Sequence, residues 1–422
     1  MSLRPPGGHA GVVQADVVIV GGGVAGGALA ILLSRAGVDV TVLERAERYR
    51  DRVRGEFMPP WGYRELEDAG LLDVVRQGDC ALTTSSCAYD ELTPPDVAER
   101  QAVDLSAVIP GVPGGLALGH PATCQVLADA AVAAGARMLR GVTGVEVHAG
   151  DRPRVGFVHG GTAHEVRPRL VVGADGRGST VRRQLGIALR HGGYRTAAAG
   201  LLVEGLHGWP EGMQAIGTCA DVHYLLFPRR DGRVRLYLCW DRADPGRFAG
   251  ASGGARFLER FATLGCLPEP EMFRHVTAHG PCASYPFEDT WTERPYVPGV
   301  VLVGDAAGYG DPVIGLGLSV AVRDVRLVAA ALLDNPGWDA EVFAPYAAER
   351  AERMRRLRVT ADAETRLRAT FTPEARRRRA AALARRTGDR QSWLAVWPLL
   401  VGPDLAPPEA FEQEAVDRLL AA

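Results

Sequence analysis

Three glycines with the spacing G-x-G-x-x-G are the residues of this chain whose types and positions point most directly to chemistry. Gly21, Gly23 and Gly26 separate a run of β-branched residues from an apolar helical run. At this spacing the first glycine makes a tight turn, the second lets the backbone approach a pyrophosphate, and the third lets the helix pack on the strand. The helix begins near Val24 and Ala25, so its positive end faces the expected phosphates.

One acidic residue lies at the distance from these glycines that nucleotide binding requires. Glu44 follows Gly26 by eighteen residues and ends the second strand of the predicted β-α-β unit. Its carboxylate can accept both hydroxyl groups of an adenosine ribose and would repel a 2′-phosphate. It therefore predicts a nucleotide with an unmodified ribose, and the adjacent Arg45 is a further candidate cofactor-binding residue. FAD and NAD both satisfy this description. The alternative to a nucleotide site is a glycine-rich turn that binds no ligand.

The composition is that of a globular protein without a strong electrostatic preference. The chain has 422 residues, 47% of them hydrophobic and 23% charged, with a formal net charge of -2. These values argue against nucleic acid as a partner, and no segment has the pattern of a membrane span. The seven cysteines are scattered without metal-ligand spacing, which predicts reduced thiols in a cytoplasmic protein and no bound metal.

The order of the predicted elements indicates an α/β frame into which an antiparallel sheet is inserted. Helical patterns cover 63–78 and 121–135, and strand patterns follow at 142–148, 154–158 and 165–173. Alternating runs separated by a hairpin signal then predict the antiparallel sheet, and the last quarter of the chain is mostly helical.

Two further motifs and one arginine-bearing stretch give the chain a family resemblance. RLVVGADGRGSTVRRQLGI (169–187) and PGVVLVGDAAGYGDPVIGLGLSVAVRDV (298–325) resemble the D-G and G-D motifs of flavin-dependent aromatic hydroxylases. RDRVRGE, which ends at Glu56, resembles the stretch whose arginine, here Arg54, reaches the pyrophosphate or ribityl chain. This family is the group A flavoprotein monooxygenases, typified by para-hydroxybenzoate hydroxylase. The resemblance implies bound FAD, with NADPH or NADH as a transient co-substrate.

The resemblance also implies a domain organisation. A discontinuous Rossmann-like FAD-binding domain would comprise 15–80, 106–185 and 286–345. A substrate-binding β-sheet domain would comprise 81–105 and 186–285, followed by a helical C-terminal region at 346–422.

The G-D motif is expected to hold the flavin end of the cofactor. Gly304 and Asp305 follow a buried strand, and the family's matching aspartate accepts hydrogen bonds from ribityl hydroxyls. Gly315, Leu316 and Gly317 precede an apolar helix. Their backbone amides therefore suit the flavin atoms on which negative charge develops during reduction.

Five other positions receive expected roles from the resemblance. Pro312 is expected beside the reactive edge of the flavin ring. Asp175 and Gly176 of the D-G motif are expected beside the flavin ribose and pyrophosphate, and Arg182 is either part of that site or a surface partner of the aspartate. His120 occupies a position where relatives carry an arginine or glutamine against the flavin chain, and a solvent-facing histidine is the alternative.

The reaction implied by the resemblance is hydroxylation of an electron-rich ring. In that mechanism NAD(P)H reduces FAD, oxygen adds at flavin C4a, and the resulting hydroperoxide transfers oxygen to the substrate. Gly308 and Ser319 depart from residues that are usual in phenol hydroxylases, and GDAAGYGDP is closer to flavin halogenases and isoprenoid-saturating reductases. The chain has no lysine, which the halogenase mechanism requires. A reductase and a flavin-binding redox protein without turnover remain as alternatives.

Two strands of the inserted sheet are expected to form the wall of the substrate site. In VHYLLFP and RVRLYLCW every second residue shares a face, and Tyr224 and Tyr237 are the candidate partners of a substrate hydroxyl. The apolar runs predict a mostly hydrophobic substrate. The resemblance implies that the substrate is aromatic or polycyclic and that O2 is the second small molecule. The apolar segment 393–402 is expected either to close over the FAD-binding domain or to form a homodimer contact.

Overall fold

The computed structural model describes residues 12–53, 55–193, 196–386 and 389–421. Its α-helices are Val24–Arg35, Pro60–Asp68, Leu72–Arg76, Pro95–Arg100, His120–Ala133, Thr180–Gln184, Gly253–Ala262, Gly317–Asp334, Ala344–Arg368, Pro373–Arg385, Pro398–Val401 and Gln413–Leu420. Its 3₁₀ helices are Leu105–Ala107, Pro270–Arg274, Gly304–Ala307, Pro312–Ile314, Ala340–Phe343, Arg390–Val396 and Pro408–Phe411.

A six-stranded sheet carries the glycine turn at the carboxyl end of a central strand. Its strands, in spatial order, are Tyr296–Val297, Val300–Leu302, Leu170–Gly173, Val17–Val20, Val40–Glu44 and Arg137–Arg140. The first pair is antiparallel and the others are parallel. The central strands are buried along their whole length, as parallel strands covered on both faces must be. Because parallel strands end at one edge, the glycine turn and the two aspartate motifs meet there.

A second, larger sheet forms the predicted insertion and is antiparallel except for one pair. Its strands, in spatial order, are Thr277–Ala278, Thr196–Glu204, Arg233–Asp241, Val222–Pro228, Met213–Cys219, Ser85–Ala88 and Val103–Asp104, with Ala283–Pro286 also paired to Thr196–Glu204. The predicted hairpin is present, and it places Leu225 opposite Tyr237. The parallel pair joins Met213–Cys219 to Ser85–Ala88, a strand from far earlier in the chain.

Three smaller sheets complete the β structure. They comprise Val12–Val13, Thr162–Val166, Arg154–His159 and Thr143–His148; Phe57–Met58, Gly115–Leu118 and Cys80–Thr83; and Arg190–His191 and Thr290–Trp291.

Two elements that the sequence predicted as continuous are divided in the structure. The helix expected at 63–78 is two helices, because Gly70, with φ +63°, has left-handed backbone that ends the first of them. The strand expected at 165–173 is also two strands, separated by three residues that include Pro168. Proline has no amide hydrogen to donate to a neighbouring strand, so the strand is interrupted there.

The long helix Ala344–Arg368 links the two large sheets. It contributes Met354 and Leu357 to the cavity described below, and the carbonyl oxygen at its end, on Arg368, accepts a hydrogen bond from the Thr218 hydroxyl. Within the apolar segment 393–402, the short helix Pro398–Val401 packs on the helix Pro60–Asp68, while a homodimer contact stays a prediction. Within the described residues, no helix combines the length and apolar character needed to cross a bilayer.

His223 is expected to make stability depend on pH. The imidazole is 1% exposed, and burial, followed by the nearby charges of Arg368 and Arg379, lowers its pKa to about 3. An unfolded histidine titrates near about 6.5, so the unfolded chain binds more protons than the folded chain between these values. Stability should therefore fall as the pH decreases from about 6.5 towards about 3.

The His223→Gln variant tests this effect because glutamine keeps a polar side chain that does not titrate. Urea unfolding at about pH 7.5 and about pH 5 should show a smaller pH dependence for the variant than for the natural chain. The same pH dependence in both proteins would assign the effect to other groups.

Candidate active site

A cavity of about 710 Å³ runs along the edge at which the parallel strands end. Ligand sites of proteins commonly have volumes of roughly 300–1,000 Å³. The predicted site residues that line it are Gly21, Gly23, Val24, Ala25, Glu44, Arg45, His120, Asp175, Gly176, Tyr237, Gly304, Asp305, Pro312, Gly315, Leu316 and Gly317. Three motifs that lie far apart in the chain thus surround one space.

The three glycines of the turn have three different surroundings. Gly21 has φ +105°, and a Cβ atom there would lie 2.5 Å from the carbonyl oxygen of Ala174. A Cβ atom on Gly26 would overlap the carbonyl oxygen of Gly21. A Cβ atom on Gly23 would have no protein atom within 4 Å. Gly21 and Gly26 therefore permit close backbone packing, whereas Gly23 leaves space free inside the cavity.

Glu44 is held in a fixed orientation at the end of its strand. Its Oε2 accepts the amide hydrogen of Gly22 at 2.7 Å, and its Oε1 accepts that of Ala46 at 2.7 Å. The Tyr49 hydroxyl donates to the Gly22 carbonyl at 2.5 Å, which fixes the same turn. Each carboxylate oxygen can accept more than one hydrogen bond, so both can still receive ribose hydroxyls.

Asp175 orders the segment that follows it. Its Oδ1 accepts from the Ser179 hydroxyl at 2.5 Å, and its Oδ2 accepts from the Thr180 amide at 2.6 Å. These bonds satisfy the first amides of the short helix Thr180–Gln184. The intervening Gly176 has φ +76°, and a Cβ atom there would meet open space. The aspartate thus shapes the backbone that borders the cavity.

Asp305 meets an arginine from the D-G motif that the sequence analysis did not identify. The Nε atom of Arg177 lies 3.3 Å from Oδ2 of Asp305, and its guanidinium lies 4.6 Å from the centre of the Tyr309 ring. Both members of the ion pair are partly exposed to the cavity. Burial and the hydrogen bond to Glu288 raise the pKa of Tyr309 to about 12, so this ring stays neutral.

The segment from Pro312 to Gly317 presents bare backbone to the cavity. Gly315 has φ +65°, and Cβ atoms on Gly315 or Gly317 would have no neighbour within 4 Å. Gly317 begins an 18-residue helix, whose first amides carry partial positive charge. Oδ1 of Asp311 accepts from the Val313 amide at 2.9 Å and thereby fixes the turn that carries Pro312.

The two candidate tyrosines lie on opposite faces of the large sheet. Tyr237 lines the cavity beside Leu225 and Phe227. Tyr224 is fully buried in the core between the sheet and the helix Gly253–Ala262, and its hydroxyl donates to the Tyr89 carbonyl at 2.8 Å. Side chains alternate between the two faces of the sheet along each strand, and Tyr224 lies on the face away from the cavity. Tyr224 is therefore not in a position to contact a ligand in the cavity.

Three other predicted residues have different outcomes. His120 lines the cavity, and its amide donates to Oε1 of Glu56 at 3.2 Å. Arg182 is not a surface residue and does not line the cavity; it is buried behind the wall, where Nη1 donates to the Ala306 carbonyl at 3.1 Å. Arg54 lies outside the described residues.

A buried cluster of charges beside the cavity has no counterpart in the sequence analysis. Oε2 of Glu56 accepts from Nη1 of Arg229 at 2.5 Å and from Nε of Arg235 at 2.8 Å. Arg229 also pairs with Asp79, and Nη2 of Arg235 pairs with Asp51 at 2.6 Å. The partners are far apart in the chain and follow no local pattern. The cluster joins the large sheet to the loop that precedes Phe57.

The donors and spaces along the cavity fit FAD. Glu44 suits the adenosine ribose, the open space at Gly23 suits the pyrophosphate, and Asp305 suits a polyol chain. The apolar end beside Pro312 suits a flat ring system. The fold and the site together define a dinucleotide-binding protein of the Rossmann-like class.

The chain belongs to the FAD binding domain family, which it matches over residues 14–361. It is 30% identical over 387 residues to the ubiquinone hydroxylase UbiL of Rhodospirillum rubrum, covering 84% of this chain and 81% of that protein. Mouse squalene monooxygenase is 26% identical over 341 residues, which are 79% of this chain but only 57% of the mouse enzyme.

A solved structure shows the same fold. The p-nitrophenol 4-monooxygenase PnpA from Pseudomonas putida DLL-E4 superposes with a TM-score of 0.75 at 22% identity, over 96% of this chain and 98% of that one. The predicted fold class, family and cofactor are therefore confirmed: the protein is an FAD-dependent oxidoreductase from a family that contains monooxygenases.

Proposed function

We propose that the protein is a monooxygenase that uses a nicotinamide nucleotide and O2 to hydroxylate a mostly hydrophobic, aromatic or polycyclic small molecule. The observation that carries this proposal is one continuous cavity, in which Pro312 and Gly315 share the space with an aromatic wall. This wall is formed by Phe227 and Tyr237 of the large sheet and by Phe57. Bound FAD supplies hydride acceptance and oxygen activation, so the protein's tasks are orientation, exclusion of water and charge stabilisation. The apolar compounds in the names of the squalene and ubiquinone relatives support a hydrophobic substrate.

The aromatic wall provides a flat, dry surface for a substrate ring. Phe57 and Phe227 stack with ring centres 4.9 Å apart and planes inclined by 10°, and Tyr237 meets the edge of Phe227 at 6.0 Å. Met354 and Leu357 line the cavity from the long helix. Such a wall favours apolar rings through their buried area and excludes water from the reacting atoms.

The helix that begins at Gly317 would stabilise negative charge on the reduced cofactor. Its amides point from the N-terminus towards the cavity side on which Gly315 also lies. A helix N-terminus carries about half an elementary positive charge, which falls off within the first turn. Oriented amides of this kind stabilise an anion without reorganisation during the reaction.

Tyr237 would act as a hydrogen-bond donor rather than as a base. Burial, followed by the charge of Glu56, raises the pKa of its hydroxyl well above the usual value. The phenol therefore stays protonated near neutral pH, and its proton can be donated to an oxygen atom of the substrate.

The function is tested by spectroscopy and oxygen uptake on the purified FAD-loaded protein. Anaerobic titration with NADH and with NADPH should bleach the flavin, faster when a hydrophobic phenol such as 2-naphthol is present. In air, the same mixture should consume O2 and yield a hydroxylated product. Reduction that saturates a carbon–carbon double bond without O2 uptake would assign the protein to the reductases instead. Failure of both nicotinamides to bleach the flavin would assign it to non-catalytic flavoproteins.

The two tyrosines form a matched pair for a substitution experiment. Tyr237→Phe should lower kcat/KM for a phenolic substrate by about tenfold, which equals the loss of one hydrogen bond of about 1.4 kcal/mol. Tyr224→Phe should leave kcat/KM unchanged and lower the free energy of unfolding by about 1 kcal/mol, because its hydroxyl bonds only within the core. Equal effects of the two substitutions on kcat/KM would contradict the assignment of Tyr237 to the substrate.

A further inference from the structure

The loop Gly304–Gly308, which carries Asp305, begins and ends at a glycine with positive φ. Gly304 has φ +58° and Gly308 has φ +103°. A Cβ atom on Gly308 would lie 2.6 Å from the carbonyl oxygen of Thr290. The carbonyl groups of Gly304, Ala307 and Gly308 accept hydrogen bonds from a buried side chain. These carbonyls need buried donors, because an unpaired buried carbonyl is costly.

One arginine supplies those donors. Nη1 of Arg350 donates to the Ala307 carbonyl at 3.1 Å, and Nη2 donates to the carbonyls of Gly304 at 3.2 Å and Gly308 at 2.7 Å. The side chain of Arg350 is 1% exposed. It comes from the long helix, more than forty positions along the chain from the loop. A single planar guanidinium therefore sets the spacing of three carbonyls in the loop.

A buried aspartate completes the arrangement from the other side. Oδ2 of Asp324 accepts from Nε of Arg350 at 2.9 Å and from the Gly304 amide at 2.8 Å. Oδ1 of the same carboxylate accepts from Nη2 of Arg353 at 2.7 Å. Burial acts to raise the pKa of Asp324, but the two arginines outweigh it and hold the pKa below its usual range. The carboxylate is thus ionised and connects Arg350 to the amide that begins the loop.

We propose that Arg350 is a positioning residue for cofactor binding, which sets the conformation of the Gly304–Gly308 loop and so places the Asp305 carboxylate towards the flavin. This inference rests on the proposed assignment of Asp305 to the ribityl chain. Arg350 does not line the cavity, so it acts through the loop backbone and not by contact with FAD. The guanidinium is suited to this role because its donors form a rigid fork, whereas an ammonium group is a point charge.

The chain offers a matched control on the same helix. Arg353 binds the same aspartate, is equally buried and also pairs with Glu349, but none of its described hydrogen bonds reaches the loop. Arg350→Lys and Arg353→Lys therefore remove comparable buried arginines, and both keep a positive charge beside Asp324. Only the first changes the donors to the loop carbonyls.

The experiment measures the dissociation constant of FAD and the melting temperature of the FAD-free protein for both variants. Arg350→Lys should raise the dissociation constant at least about tenfold, because a displaced Asp305 would lose a charged hydrogen bond to the cofactor, which is worth a factor of this order. Arg353→Lys should change it by less than about threefold while lowering the melting temperature to a similar extent. FAD fluorescence quenching reports binding directly and does not depend on activity.

A second variant covers the case in which Arg350→Lys does not fold. Arg350→Gln combined with Asp324→Asn replaces the ion pair by neutral amides and should also weaken FAD binding at least about tenfold. Natural affinity in either folded variant, or equal weakening by Arg353→Lys, would overturn the role of Arg350. Failure of the unaltered protein to bind FAD would instead overturn the site assignment itself, so the two failures are distinguishable.

Discussion

Gly23→Ala is expected to weaken FAD binding by about 100-fold or more without destabilising the FAD-free protein. The new methyl group would meet no protein atom within 4 Å, so it projects into the part of the cavity that we assign to the pyrophosphate. A loss of about 2.7 kcal/mol in binding corresponds to this factor. The backbone of Gly23, with φ -72°, is accessible to alanine.

The stability of the FAD-free Gly23→Ala protein should change by less than about 1 kcal/mol. Replacement of a flexible glycine favours the folded state by about 0.4–1 kcal/mol, and loss of glycine from a helix N-cap opposes it by a similar amount. The measurements are FAD titration by fluorescence quenching and urea unfolding of the protein stripped of FAD.

Gly26→Ala is the matched contrast, because the obstacle at this position is the protein itself. The added Cβ atom would overlap the Gly21 carbonyl oxygen, so the helix must move away from the strand. Such overpacking costs about 1–3 kcal/mol and should lower both stability and FAD affinity. If Gly23→Ala instead bound FAD as tightly as the natural chain, the pyrophosphate would have to lie elsewhere.

The features that the sequence predicted correctly depend on local backbone geometry. The turn at Gly21 needs left-handed backbone, and the packing at Gly26 needs the absence of a side chain. Glycine meets both requirements, so the type and spacing of these residues are enough to predict them. The same holds for the hairpin in the large sheet, whose alternation correctly grouped Tyr237 with its neighbours on one face. Which face meets the cavity depends on packing between distant elements, and the sequence left that question open.

The contacts that the sequence did not predict join residues that are distant along the chain. Arg235 and Glu56 are 179 positions apart, and Arg177 and Asp305 are 128 positions apart. An arginine in a β-strand is read from sequence as a solvent-facing residue, because isolated buried charges are rare. Only the fold shows that Arg235 is buried and that its guanidinium pairs with two carboxylates, those of Glu56 and Asp51.

That buried cluster also holds strained backbone next to the aromatic wall of the cavity. Val53 has φ +51°, which is unfavourable for a β-branched residue, and it lines the cavity. Its amide donates to Oδ1 of Asp51 at 2.8 Å, and Asp51 is in turn paired with Arg235. A residue in such a conformation costs about 1–3 kcal/mol and persists only where its surroundings enforce it. Arg235 is therefore the group whose removal should release the loop.

Arg235→Met is expected to lower the free energy of unfolding by about 3–5 kcal/mol. The substitution keeps much of the side-chain volume but leaves Glu56 with one guanidinium instead of two and Asp51 without its buried partner. Removal of one member of a buried ion pair has an effect of this size, because the remaining charge is poorly solvated. Relaxation of Val53 should also raise the KM for a hydrophobic substrate, measured in steady-state assays beside urea unfolding.

Two further variants separate loss of the buried pairing from loss of charge alone. Arg100→Met removes an arginine from an exposed pair with Asp96, in which both side chains are 66% exposed, and should lower the free energy of unfolding far less than Arg235→Met does. Asp51→Asn introduced together with Arg235→Met should recover part of the lost stability, since the carboxylate left without a partner is then replaced by a neutral amide. A double variant no more stable than Arg235→Met alone would show that the arginine acts through packing of its alkyl chain, and the strain at Val53 would then need another support.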